Sequence, residues 1–175
     1  QKDIYENCRA PCFERGFATF FLNRTNVSGI LNGGPIGGLD QTGKWKVDAR
    51  YNKHGLSERI RSLADYKSRI TVTNEDGVDL VGRHLRQKNT HVYLAPPYYE
   101  KAADLYLNHY RENDHVRLAR KLNLYADAPW LLTYDSQPEI RKLYSERQIL
   151  NFSLRYNAYE SRQGRELMIL SDRLS

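Results

Sequence analysis

The stretch Thr90-His91-Val92-Tyr93-Leu94-Ala95-Pro96-Pro97-Tyr98-Tyr99 decides how this chain reads. Its first half is β-branched and aromatic with alternating polarity, which predicts a strand over 90–94, and two prolines stop that strand at once. Proline fixes φ and carries no N–H, so the carbonyls of Ala95 and Pro96 are released from any ladder and Tyr98 can stand over whatever docks beside them. A planar ring bearing an amine suits such a place, with acceptors in its plane and an aromatic face above it. An extruded adenine is such a ring, since a base taken out of its stack is held by edge hydrogen bonds and stacking.

The segments on either side supply the rest of an α/β pattern. Downstream, 112–124 places Val116, Leu118, Ala119, Leu122 and Leu124 at helical intervals, a strand follows at 130–134, and a helix at 137–144. Two β-like runs, 148–156 and 166–170, close the chain around a turn at Gln163-Gly164. Upstream, 76–86 carries Val78, Leu80, Val81 and Leu85 and reads as a short crossover helix. The segment 56–67 reads as a helix with Leu56, Ile60, Leu63 and Ala64 inward and Ser57 as its cap, leading into a strand at 70–73. Strands alternating with helices predict a largely parallel sheet closed by a hairpin, with ligands at the carboxyl ends of the strands. That places 74–76, 95–99 and Tyr134-Asp135 on one rim.

Ahead of this region, 12–24 spaces Phe13, Phe17, Phe20, Phe21 and Arg24 three and four apart, which predicts a helix with a buried aromatic face. It stops in 26–38, where Gly29, Gly33, Gly34, Pro35, Gly37 and Gly38 make a loop. The loop leaves N–H groups for an anion, yet it matches neither the dinucleotide fingerprint nor the P-loop pattern.

The 175 residues suit one domain, and 27 Lys and Arg against 21 Asp and Glu favour a polyanionic partner. The charge is concentrated: residues 41–70 hold eight basic and three acidic side chains, although a solvated helix face explains part of this run equally well. No apolar run approaches the roughly 20 residues of a membrane span. No export leader is evident, so a cytoplasmic location is expected. Cys8 and Cys12 read as ordinary thiols on a helix, and the five His make no tight pair with them, so no metal site is expected.

The motif and its surroundings resemble the Dam-like adenine-N6 DNA methyltransferases, whose Asp-Pro-Pro-Tyr motif closes the fourth strand. Val92-Tyr93-Leu94-Ala95-Pro96-Pro97-Tyr98-Tyr99 is similar to that strand and motif with Ala95 in place of the Asp. Phe20-Phe21-Leu22-Asn23-Arg24-Thr25-Asn26-Val27-Ser28-Gly29-Ile30 and Gly43-Lys44-Trp45-Lys46 resemble the family's target-recognition region. Trp130-Leu131-Leu132-Thr133-Tyr134-Asp135 resembles its fifth strand, and 156–172 its closing hairpin. The resemblance implies a Rossmann-like methyltransferase mixed sheet with a C-terminal antiparallel hairpin over 69–175, and a small helical and loop target-recognition region over 1–68.

It also implies a reaction, the transfer of a methyl group from S-adenosylmethionine to adenine N6 in double-stranded DNA. Ala95, Pro96, Pro97 and Tyr98 would meet the base, and Asp76 and Ala95 the cofactor. Asn23, Arg24, Thr25, Asn26, Ser28, Lys44, Lys46 and Arg50 would meet DNA. The family's glycine-loop cofactor segment matches nothing in these residues, and it is expected in an N-terminal segment ahead of them or in a separate chain. Two functions stay open: a site-specific methyltransferase of a restriction-modification type inactivated at Ala95, and a dead methyltransferase-like DNA-binding or interaction module of a restriction or defence system. The intact Pro96, Pro97 and Tyr98 favour the first, because drift would blur all four positions.

Overall fold

The computed structural model describes residues 1–8, 12–100, 109–156 and 162–175. The chain, whose length predicts one domain, divides into two compact units, residues 1–72 and residues 73–156 with 162–175.

The first unit is helical. Helix α1 (Lys2–Asn7) packs on α2 (Phe13–Thr25), and α3 (Lys53–Ala64) follows a glycine-rich connection. Cys12 opens α2 from extended backbone, its Sγ accepting the Arg15 N–H at 3.4 Å, and Cys8 closes α1. The two cysteines thus sit at separate helix ends instead of sharing one helix, Cys8 bonding through its backbone N–H to the Ile4 carbonyl and Cys12 through its thiol. The buried face of α2 also differs from expectation: Phe13 and Phe17 are 81% and 41% exposed, while Ala18, Leu22 and Thr25 are buried. The helix turns its narrower side chains inward, and Phe20 and Phe21 lean on Tyr51 with ring centroids 6.3 and 5.5 Å away.

The cap of α3 is Asn52, whose Oδ1 accepts the Gly55 N–H, and Ser57 lies inside the helix. The strand expected over 70–73 is not formed. Ile70 is 49% and Val72 89% exposed, and no described strand pairs with them, so β propensity finds neither a ladder nor a surface to pack on.

The second unit carries a four-stranded mixed sheet in the order β1 (Val92–Leu94), β2 (Trp130–Asp135), β4 (Arg162–Leu170), β3 (Gln148–Tyr156). The β1 to β2 pair is parallel, as a helical crossover through α5 (Glu112–Leu124) requires, with Leu94 opposite Leu132. The other two pairs are antiparallel, so the sheet is mixed with a C-terminal antiparallel hairpin, as the family resemblance implies, and less parallel than the alternation of strands and helices alone suggests. The cause is the hairpin: β4 returns along β3 and inserts between β3 and β2, running against both. Gln163 and Gly164 lie within β4, opposite Arg155 and Leu154, and the link at 157–161 falls outside the described residues.

Alternation along β2 sends Trp130, Leu132 and Tyr134 to one face, where they are fully buried with Leu167 and Ile169 of β4. Val78 and Val81 of α4 (Gly77–His84), Leu118, Ala119 and Leu122 of α5, and Ile140 of α6 (Pro138–Leu143) complete this core. On the opposite face Tyr93, Leu150 and Leu154 are exposed. Tyr144 is buried against Trp130, and its hydroxyl has no hydrogen-bond partner among the described residues. An unpaired buried hydroxyl costs more than its absence. Tyr144→Phe is therefore expected to raise unfolding stability by about 1 kcal/mol, whereas Tyr134→Phe, which loses a bond to His115, lowers it by about 1 kcal/mol. Urea unfolding of the two variants measures both signs.

Candidate active site

The parallel register brings the carboxyl ends of β1 and β2 side by side, and the chain leaves β1 directly into the double proline. Ala95 is exposed, and Pro96, Pro97, Tyr98 and Tyr99 are half-buried. Two prolines offer no N–H with which to fix this loop, so its anchor comes from the residues after them. Asp135, at the end of β2, accepts the Tyr99 N–H through Oδ1 at 2.8 Å and the Glu100 N–H through Oδ2 at 3.2 Å. Charge-assisted bonds of this kind are about twice as strong as neutral ones. Gln137 donates to the Glu100 carboxylate at 2.9 Å, extending the clamp by one residue.

The side chain of Tyr98 is held from β4. Its hydroxyl donates to Glu166 Oε1 at 2.6 Å, and Glu166 is 4% exposed. Glu166 lies opposite Asp135 in the sheet, so two carboxylates from adjacent strands fix consecutive residues of the loop. The rim position of Asp135 is legible in the sequence. Glu166 is not, since an acidic residue within an alternating strand ordinarily faces water.

Asp76 precedes α4 and serves as its cap, Oδ1 accepting the Val78 and Asp79 N–H groups at 2.9 and 3.0 Å. Arg117 of α5 grips the same carboxylate through both oxygens at 3.1 and 2.7 Å. The Arg117 bond and the helix-end N–H groups hold the Asp76 carboxyl below the ordinary carboxylate range. Between this pair and the loop lies His115, 1% exposed, with Nδ1 2.8 Å from Tyr134 Oη and its ring against Tyr99 and Tyr110. Burial pushes the Tyr99, Tyr110 and Tyr134 hydroxyls up in pKa and His115 down. Nothing in the sequence marks His115, which occupies an inward position of a regular helix.

A separate groove of about 700 Å³ opens at the amino ends of β1 and β2, lined by His91, Leu124, Pro129 and Arg173 among others. Ligands of such sheets sit at the carboxyl ends, where the double proline is, so this groove is not the better candidate.

In the first unit, the residues expected to meet DNA divide into two groups. Thr25 and Asn26 are buried: Thr25 Oγ1 donates to Phe21 O at 2.8 Å, and Asn26 Nδ2 donates to Ile30 O and Leu31 O at 3.1 and 2.8 Å. Arg24 donates through Nε and Nη2 to the Arg50 carbonyl at 3.0 and 2.8 Å, joining the end of α2 to the segment ahead of α3. Asn23 is exposed and donates to Gly29 O at 3.1 Å. Ser28, Lys44 and Lys46 are exposed, with Lys44 Nζ 5.7 Å from the Trp45 ring centroid. Gly37 has φ +90, and a Cβ there would meet the Trp45 carbonyl at 2.6 Å, so the loop admits no side chain at that point.

A mixed sheet with helices on its buried face and a clamped, proline-stiffened loop at its carboxyl edge is consistent with a Rossmann-like methyltransferase fold. Residues 10–158 match the model of the D12 class N6 adenine-specific DNA methyltransferases, and the chain belongs to that family. No curated protein matches the chain. No helix among the described residues is long and apolar enough to cross a membrane.

The Asp76 ion pair has a pH signature. Its stabilising contribution is complete above the ordinary Asp value of about 3.9 and is lost as pH falls through the lower value of the folded state. Arg117→Ala is expected to shrink this acid-side loss, as read from urea midpoints across the acid range. An unchanged pH profile in Arg117→Ala would remove this account of the pair.

Proposed function

We propose that the 95–99 loop is an adenine-receiving site whose methyl-transfer activity is suppressed because residue 95 is Ala. The observation that carries this reading is that Asp135 and Glu166 hold the Pro96 to Tyr99 frame while the exposed position ahead of it offers a methyl group and no acceptor. An aromatic amine is a poor nucleophile because its lone pair is delocalised into the ring. Accepting hydrogen bonds from both amine protons lets the nitrogen pyramidalise. In this reading the Pro96 carbonyl supplies one acceptor, Tyr98 stacks on the base, and the second acceptor, the carboxylate of the family motif, is missing. One preorganised group of this kind is worth about 100- to 1000-fold in rate.

S-adenosylmethionine supplies the methyl group in this chemistry and needs polar partners for its ribose and its charged ends. Of the two positions expected to meet it, Asp76 has both oxygens engaged by Arg117 and α4, and Ala95 has no polar side chain. These two residues do not fit the cofactor.

Ala95→Asp in the complete gene product is expected to raise tritium transfer from labelled cofactor to adenine N6 in duplex DNA by about 100-fold or more, with the gain lost in Tyr98→Ala. Label on cytosine, or no label in the Asp variant, would falsify the assignment.

A second reading is supported by the same alanine in the second unit and, taken separately, by the exposed Lys44, Lys46 and Ser28 of the first: a DNA-binding module of a restriction or defence system without catalysis. Under both readings the first unit meets the DNA backbone. Gel-shift titrations at several salt concentrations are expected to show Lys44→Ala weakening affinity across sequences and reducing the salt slope by about 1. Arg24→Ala should act differently, lowering the melting temperature together with affinity, because its guanidinium holds the Arg50 carbonyl. Unchanged binding in both variants would remove this surface as the DNA site.

A further inference from the structure

Beneath the 95–99 loop, the fold places a titratable ring where a hydrocarbon would fill space equally well. The His115 ring lies among Tyr99, Tyr110 and Tyr134, with centroids 4.9, 5.3 and 5.6 Å away. Tyr134, whose hydroxyl is 2.8 Å from His115 Nδ1, directly precedes Asp135, which holds the Tyr99 amide at 2.8 Å. Tyr99 is therefore fixed at two points, its amide by Asp135 and its ring by His115, and both fixings return to consecutive residues of β2. Tyr98 is its covalent neighbour, so a backbone movement at Tyr99 pulls against the bond by which Glu166 holds Tyr98.

We propose that His115 is a positioning residue for Tyr98 and Tyr99: as a neutral imidazole bonded to Tyr134 it holds the loop in place, and on gaining a proton it lets the loop go. The importance of this control for methyl transfer rests on reading the loop as an adenine site; the control itself does not.

The groups that face His115 are Tyr99 on the loop, Tyr110 ahead of α5, Tyr134 and Asp135 on β2, and Asp114 on its own helix. The two carboxylates favour an imidazolium, but burial opposes it more strongly and keeps the group below the ordinary histidine range. The three tyrosines stay neutral, their hydroxyls pushed up chiefly by burial, and so provide no countercharge. Protonation would also convert Nδ1 into an obligate donor, forcing the Tyr134 hydroxyl to accept. The sign follows from linkage. Above the ordinary histidine value of about 6.5 the held and released loops carry the same charge, and below it the released form takes up a proton that the held form resists.

The test is amide hydrogen exchange at Tyr99 and Glu100 in the ¹⁵N-labelled chain from about pH 8 to pH 5, corrected for the intrinsic pH dependence of exchange. Protection at these two amides is expected to be constant at the upper end and to fall several-fold toward the lower end, while the core amide of Leu122 keeps its protection. His115→Gln, which keeps a neutral hydrogen-bonding group, is expected to give a flat profile at Tyr99. A flat profile in the natural sequence, the same fall in His115→Gln, or a parallel fall at Leu122 would each overturn the proposal. The natural-sequence profile needs no variant, so the test stands even if His115→Gln unfolds. A titrating loop in a protein whose Ala95→Asp form transfers no methyl group at any pH would remove the adenine reading and leave the positioning role in place.

Discussion

A carboxylate at the end of one strand gripping the backbone of the loop that leaves its neighbour is the interaction on which the candidate site depends. Pro96 and Pro97 stiffen the chain but cannot donate a hydrogen bond, so rigidity within the dipeptide does not fix its direction. Asp135 fixes it, by taking the next two N–H groups. The arrangement works because β1 and β2 are parallel, which puts both carboxyl ends on the same edge. An antiparallel neighbour would have offered the start of a strand instead. The β4 strand, antiparallel to β2, contributes at that edge from its interior, and Glu166 reaches Tyr98 from there.

The first unit applies the same economy differently. A glycine-rich connection has little side-chain packing with which to define itself, and here polar side chains bonded to carbonyls do it: Asn26 to Ile30 and Leu31, Gln41 to Ile36 and Gly38, Arg24 to Arg50. Buried carbonyls outside a ladder need such partners. Residue types that are natural readers of DNA are also natural donors to stray carbonyls, and Arg24, Thr25 and Asn26 are engaged inside the protein. The exposed cations Lys44 and Lys46 lie on the surface that this scaffolding shapes.

What could be read from the sequence follows from the range of the forces involved. Local periodicity defined α5 closely, with an expected 112–124 against the observed Glu112–Leu124, and the strand at Trp130 and the helix before β3 were equally legible. The double proline marked the candidate site for the same reason, because its meaning is confined to four residues. Expectations failed where a distant partner decides. Ile70 and Val72 have strand chemistry and no strand to join, and the aromatic stripe of α2 has the right period but lies turned away from the buried side. The antiparallel sense of β3 and β4 was by contrast legible as a closing hairpin, and it is the pairing of β4 with β2 that makes the sheet mixed. Glu166 and His115 escaped notice because a buried carboxylate or imidazole looks like any other until its partner, Tyr98 or Tyr134, is placed beside it.

The order of the strands has a consequence for how the molecule assembles. The β3 and β4 strands are near neighbours in the chain, so closing their ladder costs little entropy, whereas Val92 must find Trp130 across a whole helical crossover. The Asp135 grip on the loop exists only after that longer closure is made. The candidate site is thus completed only once that contact is made, and a chain that has formed its hairpin and helices but not its β1 contact would present ordered secondary structure with Tyr98 still unaimed. Competence at this edge therefore reports that the parallel contact between β1 and β2 is in place.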